Sequence, residues 1–200
     1  MAVSLLEQRA NEPGRIYVRD LREEIEHMSG LVGELLSFSK ASLGETQVKL
    51  QPVNARDVIE RAVQREIQLG ADVRLTMETG LTAAADPEML QRALANLLRN
   101  AVRYAGTAGP ITVSGCRDDD TVLITVTDCG PGVPEESLQR LFDPFYRVDN
   151  SRTRETGGVG LGLTIAKTCV EACGGSVVCR NRNPSGFEVL VRLRARPNEI

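Results

Sequence analysis

Val18, Leu21, Ile25, Met28, Val32 and Leu35 recur at alternating steps of three and four, the spacing of a heptad seam. Leu31 and Leu36 widen that seam to a bundle-type face, so a helix patterned in this way wants a partner. The breaker cluster Asn11-Glu12-Pro13-Gly14 separates it from a stub at 1–10, which reads as the tail of a helix whose beginning lies upstream. Residues 1–43 are expected to be a helical hairpin cut in its first arm, and 44–53 a linker with a short strand at 48–50.

From residue 54 the pattern changes to alternating strands and helices. Asn54 is placed to cap a helix running to about residue 69, with Asp57 favourably in its first turn. Residues 73–79 alternate as a strand. Asp86-Pro87 then gives an N-cap followed by proline at the first helical position, opening a helix to about residue 105. The β-branched runs 111–117 and 121–127 predict a hairpin across Asp118-Asp119-Asp120. A short helix at 134–141 follows, then a helix at 162–173 stopped by Gly174-Gly175, and two closing strands at 177–180 and 187–193. Hairpin strands mixed with helices predict an α+β sandwich, helices on one face of a mixed sheet, over residues 54–195.

Composition narrows the classes. An apolar fraction of 42% and a charged fraction of 26% are ordinary for a globular chain. A formal charge of -3 with no run of Lys or Arg leaves no footprint for nucleic acid. No apolar stretch approaches the ~18 residues of a membrane span, so no membrane contact is expected of this chain. Five cysteines without paired CxxC spacing, beside a single histidine, read as small buried apolar side chains rather than a zinc site.

On the helix opened by Asp86, Leu90, Ala93, Leu94, Leu97 and Ala101 make the buried stripe, while Asn96, Asn100 and Arg103 share another face. Asparagine is a poor helix-interior residue, so two in register ask for a reason. A neutral amide oxygen can ligate magnesium, which takes few protein ligands and keeps waters and phosphate oxygens in its octahedron; two solvated asparagines are the plainer alternative. Asp128 ends a strand before Gly130 and Gly132, a bend tight enough for backbone to approach a flat ring, with a carboxylate able to accept from the exocyclic amine of adenine. An ordinary Asp-x-Gly turn would carry the same residues.

Gly157, Gly158, Gly160 and Gly162 precede an apolar helix, an arrangement that aims free N–H groups and a helix dipole at phosphate. The loop lacks the Gly-Lys pair of a Walker A motif and does not follow a strand as a dinucleotide fingerprint does. Between the glycine motifs, 142–156 is long enough for a mobile lid carrying Arg147, Arg152 and Arg154, with Phe142 and Phe145 as anchors seating it; a solvated basic loop is the plainer alternative.

These segments resemble, in order and spacing, the N, G1, F and G2 boxes of sensor histidine kinases, over roughly residues 15–195. Their ATP-binding domain belongs to the gyrase, Hsp90, histidine kinase and MutL superfamily. The resemblance implies the family's two-layer α/β sandwich, the Bergerat-type ATP-binding fold. It implies Mg-ATP as cofactor, with Asn100 as the Mg2+ ligand and Asn96, Arg103 and Tyr104 completing the N box near metal, phosphate and ribose. Asp128 then resembles the adenine-reading carboxylate, Gly130 and Gly132 the first glycine bend, and Phe142 and Phe145 the aromatic box. Gly158, Gly160, Leu161 and Gly162 fall in the loop beneath the phosphates. Cys129 departs from the polar residue usual at its position.

The implied reaction is γ-phosphoryl transfer to a histidine and onward to the aspartate of a response regulator receiver domain, in a parent that dimerises through the hairpin and is anchored in the cell membrane. His27 sits inside the heptad pattern of the second hairpin helix, next to Met28, and is a poor phosphoacceptor. The chain resembles one that begins after the acceptor box, so it is expected to bind nucleotide without phosphorylating itself.

Overall fold

The computed structural model describes residues 48–105, 107–148 and 159–196, together with 14, 17–19, 21, 22, 25, 28, 32, 33 and 35. The last group is helical, and Leu21, Ile25, Met28, Val32 and Leu35 of the heptad seam are exposed on it. The stub at 1–10, His27, Arg152, Arg154, Gly157 and Gly158 lie outside the described residues. Among the described residues no helix is long and apolar enough to cross a membrane.

The strand expected at 48–50 forms instead at Gln51–Asn54 (β1), where it pairs antiparallel with Thr82–Ala85 (β3). Pro52 sits on β1, an edge strand, where proline is tolerated. Helix α1, Ala55–Gln68, starts as its cap predicts: the Asn54 side chain accepts from the Arg56 N–H at 3.0 Å. Helix α2, Pro87–Ala105, is held more firmly. Asp86 Oδ1 accepts from the Glu88 and Met89 N–H groups at 3.0 and 3.2 Å, and Oδ2 accepts from the Lys49 N–H at 3.0 Å.

The larger sheet has the order β2-β4-β5-β7-β6, with β2 (Val73–Met77) parallel to β4 (Ile111–Asp118). The pairs of β4 with β5 (Thr121–Thr127), β5 with β7 (Phe187–Arg194) and β6 (Ser176–Asn181) with β7 are antiparallel. The sheet is mixed, as expected. Alternation along β5 and β7 sends Val122, Ile124, Val126, Val189, Val191 and Leu193 into one core with Leu90, Leu94 and Leu97 of α2 and Ile165 of α3 (Gly162–Ala172). The short helix expected at 134–141 forms as a 3-10 helix, Glu135–Arg140, opened by a Ser137 N–H to Pro134 carbonyl bond of 2.9 Å. Its six residues, between Pro134 and the buried Leu141, make about two turns at the 3-10 pitch.

A nucleotide-shaped candidate site

Three elements converge on one cavity of ≈ 280 Å³: the C-terminal half of α2, the bend after β5, and the start of α3. Asn96, Asn100, Arg103 and Tyr104 line it from α2, Asp128, Gly130 and Gly132 from the bend, and Gly160 and Gly162 from the loop entering α3. Arg147 lines it from the near end of the lid segment.

Asp128 is only 6% exposed, and its position is fixed from both sides. Its N–H donates to the Phe187 carbonyl at 2.9 Å, while Oδ1 accepts from the Gly130 N–H at 2.8 Å and the Phe187 N–H at 3.1 Å. Among the described residues no hydrogen bond goes to Oδ2, which leaves one carboxylate oxygen for a guest. Burial pushes the Asp128 carboxyl above its ordinary value; the two N–H donors and the charge of Arg182 oppose that rise without reversing it.

The two asparagines have different employment. Asn96 is 5% exposed, donates from Nδ2 to the Arg92 carbonyl at 2.8 Å and accepts at Oδ1 from Arg99 Nη2 at 3.0 Å. Its amide is committed to holding an arginine at the cavity. Asn100 has no side-chain hydrogen bond to a described residue, so its amide oxygen is available to a cation. Among the described residues no three His, Cys, Asp or Glu side chains come together as a metal cage. A cation here would rest on Asn100 and on oxygens of the guest, which fits magnesium's habit of few protein ligands.

At the start of α3 the N-cap is Leu161, whose side chain accepts nothing, and the first turn carries no acidic residue. The first-turn N–H groups and the dipole are left for an anion. Gly160 takes φ +75°, and a Cβ there would sit 2.7 Å from the Tyr146 carbonyl oxygen, so only glycine allows this approach. Leu161, expected beneath the phosphates, is instead fully buried in the core and does not line the cavity. Its side chain pins the glycine loop from behind.

The two phenylalanines also part company. Phe142 packs partly buried against the core beneath Lys167, whose Nζ is 5.7 Å from the ring centroid, and its carbonyl accepts from Thr164 Oγ1 at 3.0 Å. Phe145 is 59% exposed and anchors by backbone, donating its N–H to the Gly160 carbonyl at 3.1 Å. The near end of the lid segment is thereby tied to the glycine loop. Arg99, Pro131, Val133, Tyr146 and Phe187 line the cavity without having been expected there. Arg99 was legible, since it lies three residues from Asn96 on a helix.

Residues 85–197 match the profile of the histidine kinase-, DNA gyrase B-, and HSP90-like ATPases. The chain is 32% identical over 180 residues to the signal transduction histidine-protein kinase BaeS of Escherichia coli (strain K12), an alignment covering 88% of this chain and 38% of BaeS. It is 35% identical over 181 residues to the signal transduction histidine-protein kinase AfsQ2 of Streptomyces coelicolor, covering 90% of this chain and 33% of AfsQ2. Among solved structures, full-length ShkA in complex with AMPPNP superposes with a TM-score of 0.74 at 28% identity, covering 98% of this chain and 42% of ShkA. The chain spans well under half the length of these relatives. It belongs to the histidine kinase-, DNA gyrase B-, and HSP90-like ATPases, carries their ATP-binding domain, and within them is similar to sensor histidine kinases.

Proposed function

We propose that this chain is the catalytic part of a sensor histidine kinase, binding Mg-ATP and passing its γ-phosphoryl group to a histidine on a separate helical hairpin. The observation that carries the reading is the convergence on one cavity of the Asp128 carboxylate, the free Asn100 amide and the uncapped start of α3. In this reading, Asp128 Oδ2 accepts from the adenine amine, while Gly130 and Gly132 let the bend lie against the ring. The α3 N-terminus and its glycine loop take the phosphates. Asn100 would hold magnesium, which when bound neutralises phosphate charge and orients the γ-group. Arg103, Arg99 and Arg147 add fixed positive charge at the same cavity.

Phosphoryl transfer needs little covalent help from protein, so positioning and charge are what such a site supplies. The phosphohistidine would then serve an aspartate of a response regulator receiver domain. The whole protein would dimerise through the hairpin, on the seam where Leu21, Ile25, Met28, Val32 and Leu35 are exposed, and would be anchored in the cell membrane. On this reading residues 1–43 are hairpin, 44–53 linker and 54–195 the ATP-binding domain. A regulatory module of the same superfamily, acting through partner binding alone, is not favoured by relatives named as kinases.

Two measurements test the proposal. Asn100→Ala should abolish the magnesium-dependent tightening of ATP seen by calorimetry in the parent chain; a parent whose ATP affinity is the same with and without magnesium contradicts the assignment. Mixed with a hairpin carrying the acceptor histidine, the chain should transfer label from γ-labelled ATP to it. Failure by a folded, ATP-bound chain would shift the reading to the regulatory module.

A further inference from the structure

We propose that Asn181, at the end of β6, is a positioning residue for the adenine end of the cavity, through a side-chain clamp on the bend at 131–133. The inference rests on the reading that the ring sits against Asp128. Val133 donates its N–H to Asn181 Oδ1 at 2.9 Å, and Asn181 Nδ2 donates to the Val133 carbonyl at 2.7 Å. Both backbone groups of one loop residue are thus satisfied by a single carboxamide 48 positions away, in the manner of a strand partner. The same Nδ2 also donates to Glu135 Oε1 at 3.0 Å, tying in the start of the 3-10 helix.

The clamp leaves no slack. Gly132 takes φ +75°, and a Cβ on it would lie 2.6 Å from Asn181 Oδ1, so the bend rests directly on the amide. Asn181 is the register partner of Phe187 across β6 and β7. Phe187 in turn donates its N–H to Asp128 Oδ1 and accepts from the Asp128 N–H. One rung of the sheet therefore holds the carboxylate at one end and the bend at the other. Asp128, Gly132, Val133 and Phe187 all line the cavity, so the distance between the acid that would read the amine and the wall against the ring is set by that rung. Asn181 itself does not line the cavity and acts through the bend it holds.

The test measures ADP and IDP affinities by competition against a fluorescent ADP analogue, IDP lacking the exocyclic amine. Asn181→Ala should weaken ADP about tenfold, the scale of one to two net hydrogen bonds, and should narrow the preference for ADP over IDP. The fold-gain of ATP affinity on adding magnesium should stay at the parent value, because the phosphate end is untouched; a general loosening of the fold would lower that gain as well.

N181D sets a carboxylate against the Val133 carbonyl and Glu135, and should bind ADP more weakly still. Adding E135Q replaces the like charge with a donor and should recover part of the loss; this pair carries the test if N181A fails to fold. Asp128→Asn is the control. If it leaves the ADP preference intact, the adenine assignment itself has failed. If it erases the preference while N181A keeps both the parent's ADP affinity and its ADP over IDP ratio, the clamp is overturned.

Discussion

Asp128→Asn separates recognition from folding better than any truncation at this site. Oδ1 serves two buried N–H donors, at 2.8 and 3.1 Å, and an asparagine oxygen can keep both. The rotated amide is excluded, because it would turn its NH2 onto those same two donors. Each charge-assisted bond, worth about 1.5–3 kcal/mol net, becomes a neutral one of about 0.5–1.5 kcal/mol. Against that loss, the substitution removes a carboxylate whose charged form burial already disfavours. The two effects offset each other, so the free protein should change by no more than about 1–2 kcal/mol, or roughly 2–8 °C in Tm.

Binding has no such compensation. The NH2 now occupies the Oδ2 position and faces the adenine amine, donor against donor. Losing a charged acceptor and stranding a donor together cost about 3–6 kcal/mol, on the order of 10²–10⁴-fold in ADP affinity. Asp128→Ala would be a poorer probe, since it orphans both buried N–H groups and destabilises the bend itself. Calorimetry with ADP alongside thermal denaturation reads both quantities. An ADP Kd within about threefold of the parent, under about 0.7 kcal/mol, would mean that Asp128 does not read the amine.

Three further outcomes are expected. Because burial holds the Asp128 carboxyl above 3.8, its contribution to the stability of the free protein is full below the unfolded value and is lost as pH rises through the folded one. ADP binding, which needs the carboxylate, runs oppositely and weakens as pH falls through that raised value; D128N should flatten both profiles, and an unchanged ADP profile would contradict the assignment. Asp86→Ala removes the cap of α2 together with the tie to Lys49 and should cost about 1–2 kcal/mol, read as a lower denaturation midpoint with normal ADP stoichiometry. Burial pushes the Cys169 and Cys179 thiols up to about 11, and Cys173 is raised as well. Brief alkylation at neutral pH followed by mass spectrometry should therefore label Cys116 and Cys129 ahead of these three, and early labelling of Cys169 would count against the packing of α3 on α2.

The elements that local chemistry dictates were legible in the sequence. Asn54 and Asp86-Pro87 announce their helices because capping is settled within three residues. The hairpin at 111–127 is written in its β-branched alternation. Strand β3 was not foreseen, since Thr82-Ala83-Ala84-Ala85 has little β propensity and is a strand because β1 and Ala195 lie beside it, long-range pairings both. Leu161 misled for a related reason. The glycine spacing marks the loop as facing a ligand, yet its one large apolar residue turns to the core to hold the loop in place. Asn96 and Asn100 look equivalent at helical spacing, and only the Arg92 carbonyl and the Arg99 guanidinium distinguish the committed amide from the free one. Asn181 carries no motif at all, and its role depends on a register across β6 and β7 that no local pattern encodes.

A crystal structure of this chain with a non-hydrolysable ATP analogue and magnesium tests the central claim most directly. The adenine amine should lie within hydrogen-bond distance of Asp128 Oδ2, the metal on Asn100, and the phosphates over Gly160 and the first turn of α3. A nucleotide seated elsewhere, or one whose purine lies away from Asp128 while its phosphates still meet α3, would contradict it.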